Sequence, residues 1–330
     1  MRALAQGAAG ISTPAVFFRI MLNKRLRPRA CRCIASIFYN FFFCQYRAAL
    51  TGKFNAKKSI PVSPVDHELD GLIPFTPAWI NIYLDFVGFW VRMLGFLLKR
   101  FGGGAGEEAA AGFLDSMGGL YRFAGEVYRK NLSTTRRPFY IGRPRFLLIH
   151  LADPHLMCVP SLHVMVSILT YTSFARIMGN LGGGDSPLLE EFRRGALDIT
   201  EAILYVKQHS VNCVAAAMYA MTRFDRTAFP KEEAGAFASG LFRTEDAGGT
   251  GLPGAAKLSG VARLPGAAGL PGAAGLPKIG GQAGAAVREH IVKLYNDFLS
   301  RGEGESAGGE SWTRPLLDFL EPLRRVCRRP

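Results

Sequence analysis

Apolar residues fill the middle of this chain in helix-length runs, and the polar residues that interrupt them are few. The first run, 34–50, is rich in Phe and Tyr and is broken by Asn40, Gln45 and Arg47. The second, 72–98, is the strongest: it exceeds the roughly 20 residues that a bilayer crossing takes and carries Trp79, Tyr83, Phe89 and Trp90. Asp85 and Arg92 lie two helical turns apart on one face of it, which fits either a pair inside a bundle or a helix less deeply buried than its hydropathy suggests. A weaker helix follows over 113–128, with Asp115, Arg122 and Glu126 inside it. An apolar helix is predicted over 163–178, and two more, 195–206 and 211–221, flank a short polar stretch. The periodicity is helical throughout and predicts an all-α protein.

The pattern changes after residue 222. Leu252, Leu258, Leu264, Leu270 and Leu276 recur in Leu-Pro-Gly-Ala-Ala-like units. Lys257, Arg263 and Lys278 interrupt the glycine phase, so a collagen helix is not expected, and the composition predicts a low-complexity linker. Beyond it, 287–299 is amphipathic, with Ile291, Leu294, Tyr295 and Phe298 on one side, and 312–326 reads as a further helix. The chain thus divides into a basic N-terminal segment 1–30, an apolar body 31–222, a linker 223–286, and an amphipathic tail 287–330 expected to lie on the cytoplasmic membrane face.

Composition sharpens this picture. The 330 residues are 48% hydrophobic, with 24 Phe and a net charge of +14, and the mean hydropathy is +0.12. A charge of that size fits nucleic acid, an anionic membrane surface, or the positive-inside signature of a multi-pass protein. No nucleic-acid motif is present, and the apolar content favours the membrane. If the first segment runs outward, the basic cluster 19–32, Lys99-Arg100 and Arg193-Arg194 all fall on the cytoplasmic side. Residues 1–22 then read as a cytoplasmic lead-in, although their short apolar part also admits a signal peptide. The six cysteines, Cys31, Cys33, Cys44, Cys158, Cys213 and Cys327, form no disulfide framework and too sparse a set for zinc, so buried reduced thiols are expected.

Three polar motifs stand out in this setting: Lys130 with Arg137-Pro138, then Pro160-Ser161-Leu162-His163, then Lys207-Gln208-His209. A lysine point charge and an arginine fork suit a phosphate dianion. Ser161 and His163 stand at a predicted helix start, where free backbone N–H groups favour an anion, and His163 has the chemistry to protonate a leaving alkoxide. His209 has the chemistry to attack phosphorus. The charge-based topology places all three motifs on one, non-cytoplasmic face. Simpler readings exist for each: a solvated basic loop, a helix cap by Ser161, a polar kink at His209. His150, Asp153, His155 and His163 also offer metal-ligand chemistry, but His-x2-Asp-x-His is no strong signature and Asp153-Pro154 reads as a turn.

In their order and spacing these motifs resemble the type 2 phosphatidic acid phosphatase superfamily, which carries Lys-x6-Arg-Pro, Pro-Ser-x-His and Ser-Arg-x5-His-x3-Asp. Leu-Ile-Pro-Phe at 72–75, Pro-Ser-Leu-His and Lys-Gln-His resemble its branch of inositol phosphorylceramide synthase-like proteins. The likeness covers about residues 66–222. It implies a multi-pass helical membrane bundle of about six spans and a cofactor-free, metal-free phosphohistidine mechanism on a lipid or isoprenoid phosphate. By position, Lys130, Arg137 and Ser161 would bind the phosphate, with Lys207 replacing the charge of the family's second arginine, His163 would be the general acid and His209 the nucleophile. Two positions depart. The family's arginine falls on Ile203, and its orienting aspartate falls on Cys213. A weakened or non-catalytic relative is therefore the alternative expectation.

Overall fold

The structure is a computed structural model that describes residues 12–54, 60–182, 187–243, 276–303 and 312–324. Most of the Leu-Pro-Gly-Ala-Ala repeat, which the sequence assigns to a linker, lies outside the described residues. The described chain is mostly helical. In order it runs α1 Thr13–Leu22, α2 Arg27–Tyr39, α3 Arg47–Phe54, α4 Ile80–Leu84, α5 Phe86–Arg100, α6 Glu107–Tyr128, α7 Pro144–Ala152, α8 Leu162–Asn180, α9 Pro187–Tyr205, α10 Val211–Phe224, α11 Lys231–Gly240, α12 Gly281–Glu303 and α13 Arg314–Leu323. A π-helical stretch, Asn40–Tyr46, joins α2 to α3.

Helix α8 is the hub. Its buried residues, from Leu162 to Met178, lie on every face of the helix, which is the signature of a core helix with neighbours all round. Helices α5, α6, α9 and α10 pack against it. The ion pair that the spacing of Asp85 and Arg92 allows is formed, with Arg92 Nη1 donating to Asp85 Oδ1 at 2.8 Å. Gly88 sits between them: a Cβ there would meet Asp85 Oδ1 at 2.5 Å and Arg92 Nη1 at 2.8 Å, so only glycine leaves the pair room.

Two three-residue strands were not legible as a pattern. Val62–Pro64 (β1) pairs in parallel with Leu132–Thr134 (β2), Val62 opposite Leu132. A single bridge joins Ser133 to Met157. This small sheet ties the first phosphate motif's surroundings to the loop that precedes Pro160-Ser161.

The C-terminal region departs from the expected peripheral tail. Helix α12 buries Val287, Ile291, Tyr295 and Phe298 and packs along α10. His290 Nε2 is 2.8 Å from Asn212 Oδ1, and its ring stacks on His67 at 3.9 Å. The Ser63 hydroxyl donates to the Leu320 carbonyl in α13 at 2.8 Å, and Arg324 reaches the Asn131 side chain. The amphipathic face of 287–299 is covered by protein, and α13 begins beside Lys130. Nor is 223–286 wholly a linker, because α11 and the start of α12 fall inside it.

One strap fixes the segment that follows the repeat. Lys278 Nζ lies 3.1 Å from Glu201 Oε2 and 3.2 Å from Asp198 Oδ1, over the Trp79 ring at 5.4 Å. The Ile279 N–H donates to the Tyr205 hydroxyl at 2.6 Å. Glu201 is only 1% exposed, so removing its cation strands a buried charge. Lys278→Ala should cost about 3–5 kcal/mol in chemical unfolding, and adding Glu201→Gln should recover a large part of the loss.

Candidate functional site

The site gathers where α8 begins and where α9 turns into α10. Helix α9 closes at Lys207, whose backbone takes φ +54, a left-handed end usually given to glycine. The Gln208 and His209 N–H groups both return to the Ile203 carbonyl, at 3.0 and 3.2 Å. Helix α10 then starts from Ser210, whose hydroxyl accepts from the Asn212 N–H. The turn Glu68–Leu72 grips this junction. Asp70 Oδ1 accepts the Val211 N–H at 2.9 Å, and the Lys207 ammonium donates to the Asp70 and Ile73 carbonyls.

His209 is 7% exposed. Its Nε2 lies 3.4 Å from Ser161 Oγ, and its Nδ1 is buried with no hydrogen-bond partner. The reading of Ser161 as a simple cap does not hold: its side chain makes no capping bond to α8. The His163 ring sits 5.4 Å from that of His209 and at 67° to it, held between Tyr83 at 4.6 Å and Phe86 at 4.4 Å. Arg137 Nη1 donates to Gln208 Oε1 at 3.1 Å, and its Nη2 donates to the Asp153 carbonyl at 3.1 Å. Two of the five guanidinium N–H groups are thereby used to aim the rest. Arg137, Ser161, His163 and His209, distant in sequence, are brought together.

Lys130 and Lys207 are not part of this group. The Lys130 ammonium reaches Thr313 Oγ1 at 3.4 Å, at the start of α13. Lys207 spends its ammonium on the two carbonyls just named. Long aliphatic stems let lysine charges settle well away from their backbone, and here they settle on nearby acceptors. Cys213 does not occupy an orienting role either. Its sulfur accepts the Ser210 N–H at 3.4 Å, an N-terminal capping contact.

Several site residues carry no motif. Gln45, from the π-helical stretch, donates to Asp153 Oδ1 at 2.8 Å and accepts from the Leu156 N–H at 3.0 Å. His155 takes φ +59, its N–H donates to Asp153 Oδ1 at 2.9 Å, and its Nε2 lies 2.8 Å from Thr135 Oγ1. The His155 and His209 rings are 6.1 Å apart. Cys158 is buried, with its sulfur 3.6 Å from His155 Nε2. In the sequence, Asp153 and His155 stand out only as candidate metal ligands, and Gln45 only as a polar break in an aromatic run. The metal reading gains no support: among the described residues no three His, Cys, Asp or Glu side chains are placed to hold an ion.

No protein-family model matches this chain, and neither the curated proteins nor the solved structures contain a match to it.

Burial by itself would raise the Asp153 carboxyl, but the His155 hydrogen bonds and the Arg137 charge hold it well below the usual carboxylate range. A carboxyl depressed in the fold contributes stability that is present above its unfolded pKa, about 4, and is lost as pH falls below it. Asp153→Asn should therefore flatten the decline in melting temperature between pH 5 and pH 3, a comparison that thermal scans of both proteins provide directly.

Proposed function

We propose that this chain is a phosphatase or phosphotransferase that acts on a lipid or isoprenoid phosphate through a phosphohistidine on His209. The observation that carries this reading is the convergence of Ser161 Oγ on His209 Nε2 at 3.4 Å, with the His163 ring 5.4 Å away and the Arg137 fork fixed on Gln208. In this reading His209 Nε2 attacks phosphorus as the bond to the leaving oxygen breaks. His163 gives its proton to that oxygen. Water or an alcohol then attacks the phosphoryl group, His163 takes its proton back, and the P–N bond breaks. Arg137 and Ser161 supply donors to the phosphoryl oxygens.

The same reading places the protein in a cell membrane as a bundle of about six spans, with the site on the non-cytoplasmic side. Support comes from Pro77–Arg100, the one stretch among the described residues long and apolar enough to cross a bilayer. It also comes from exposed apolar side chains such as Phe18, Phe42, Phe43, Leu151 and Phe139, the last 87% exposed, which lipid would cover. Against the expected topology stands α13, which the sequence puts on the opposite side from Lys130 and whose start lies next to it. A second reading, a non-catalytic or weakened relative, is favoured by the diversion of Lys130 and Lys207 to other partners.

Phosphate release from short-chain phosphatidic acid, sphingolipid phosphates and isoprenoid diphosphates, with and without EDTA, separates these readings. Release that survives the chelator, disappears in His209→Ala and leaves an acid-labile phosphoryl group on the wild-type protein is the expected result. Absence of release on every substrate would favour the non-catalytic relative. Arg137→Lys keeps the charge but cannot hold Gln208 and Asp153 at once, so turnover should fall by about 2–3 kcal/mol in barrier, whereas Arg143→Lys should leave it nearly unchanged. For topology, a membrane-impermeant maleimide applied to intact cells should label Arg136→Cys and spare Arg194→Cys, both in a Cys31→Ser background. Equal labelling of the two would remove the multi-pass arrangement.

A further inference from the structure

Outside the candidate site, the fold brings two histidines that no motif marks face to face. His67 opens the turn Glu68–Leu72, and His290 lies in α12. Their rings stack at 3.9 Å, 27° from parallel. Each ring is fixed in one neutral form by its neighbours. Asn212 Nδ2 donates to the Val65 carbonyl at 3.2 Å, which leaves Oδ1 for His290. His290 Nε2 is therefore the donor in their 2.8 Å contact. His67 Nδ1 accepts the Leu69 N–H at 3.2 Å, so the proton of that ring sits on Nε2. A further proton either displaces the Leu69 N–H from His67 or goes to His290 Nδ1 and makes a cation against the stacked ring.

Both partners of His290 border the junction that carries His209. Asn212 stands in the first turn of α10. The turn after His67 grips the same junction. Asp70 Oδ2 accepts the His67 N–H at 2.8 Å, and Asp70 Oδ1 accepts the Val211 N–H at 2.9 Å. The Lys207 ammonium rests on the Asp70 and Ile73 carbonyls. The buried apolar face of α12 packs on α10 at any pH. The histidine pair is the part of this docking that a proton can change.

We propose that His67 and His290 form a proton-sensitive latch, which fastens α12 to the turn gripping the His209 junction at neutral pH and loosens it as the surroundings become mildly acidic. The latch concerns the frame of the site and holds whatever chemistry His209 performs. Burial, the facing His67 ring and Lys293 push the His290 pKa down to about 4, and Glu68 opposes them. Asp70, on the same turn, is occupied by two backbone N–H groups. From α10 the neutral Asn212 amide faces His290, and among the described residues no charged side chain of α11 or α13 acts on it. A histidine freed from the latch takes up its proton below about 6.5, whereas the fastened one resists until about 4. The loosened form thus binds more protons between these values, and docking weakens as pH falls through that window.

Hydrogen–deuterium exchange on the full-length protein in nanodiscs, compared at pH 7.5 and pH 5 after correction for intrinsic rates, tests the latch. Protection over 284–299 and 67–73 should fall by roughly tenfold in wild type at the lower pH. The segment 207–212 should loosen with them, because Asp70 holds the Val211 N–H. His290→Gln keeps a donor for Asn212 but gains no proton in this range, so its protection should be nearly flat. Wild-type protection that does not change, or a His290→Gln protein with the full wild-type dependence, overturns the proposal. Loosening confined to α12 overturns its coupling to the junction. Should His290→Gln not fold, His290→Phe keeps the stack without the proton and must show the same flat profile, and a wild-type profile in that variant is equally decisive.

Discussion

A buried imidazole inside an apolar helical bundle is the constraint from which the rest of this structure follows. A polar ring in such surroundings costs free energy unless its two nitrogens find partners. Ser161 answers one of them, which is why it leaves the cap of α8 bare. To bring Ser161 there, the loop before it must be held in place without regular structure of its own. Gln45, Ser133 and Arg137 do that from three separate elements. The short sheet of β1 and β2 therefore matters more for the site than its six residues suggest. It is the element that converts the chain between α6 and α7 into a frame for Cys158.

The arginine shows how one side chain links two motifs. A planar fork can satisfy acceptors in two directions while keeping its charge. Arg137 uses that to join the Gln208 amide, next to His209, to the Asp153 carbonyl, at the start of the loop leading to Ser161. A lysine offers a charge without this geometry, and both candidate lysines have gone elsewhere. Lys207 has become a structural clip on the turn at Asp70 and Ile73. Its left-handed backbone is held by that grip, so its charge has a folding role that does not involve phosphate.

Much of the scaffold was legible because helical periodicity is a local signal. The α5 ion pair, the core character of α8 and the break at Lys207-Gln208-His209 all follow from spacing within one segment. The motif order also brought Arg137, Ser161, His163 and His209 together correctly. What escaped was whatever depends on contacts across many residues. His155 reads in sequence only as a candidate metal ligand and Cys158 only as a thiol in an apolar run, and their actual partners are known only from the fold. Strands of three residues lie below any alternation pattern. The tail at 287–299 was misplaced because an amphipathic face looks the same whether lipid or a partner helix covers it, and here α10 covers it.

That last ambiguity also limits what hydropathy alone says about how each helix is buried in this chain. Helix α9 carries Glu190, Glu191, Arg193, Asp198 and Glu201, which no free-standing membrane helix would tolerate cheaply. Two of those carboxylates face Lys278, supplied by the segment after the repeat. Their charge is neutralised by residues more than 75 positions away, so the helix reads as polar in isolation and as paired in the fold. A helix whose acids are matched internally can sit in a low-dielectric setting that its sequence window forbids. The converse holds for Phe38, Phe42 and Phe43, which stack along an exposed face of the N-terminal helices although Asn40 and Gln45 lower the mean hydropathy of that stretch. Both polar side chains point inward, Asn40 to the Tyr121 carbonyl and Gln45 to Asp153. The outer face is therefore more apolar than the average composition of the segment.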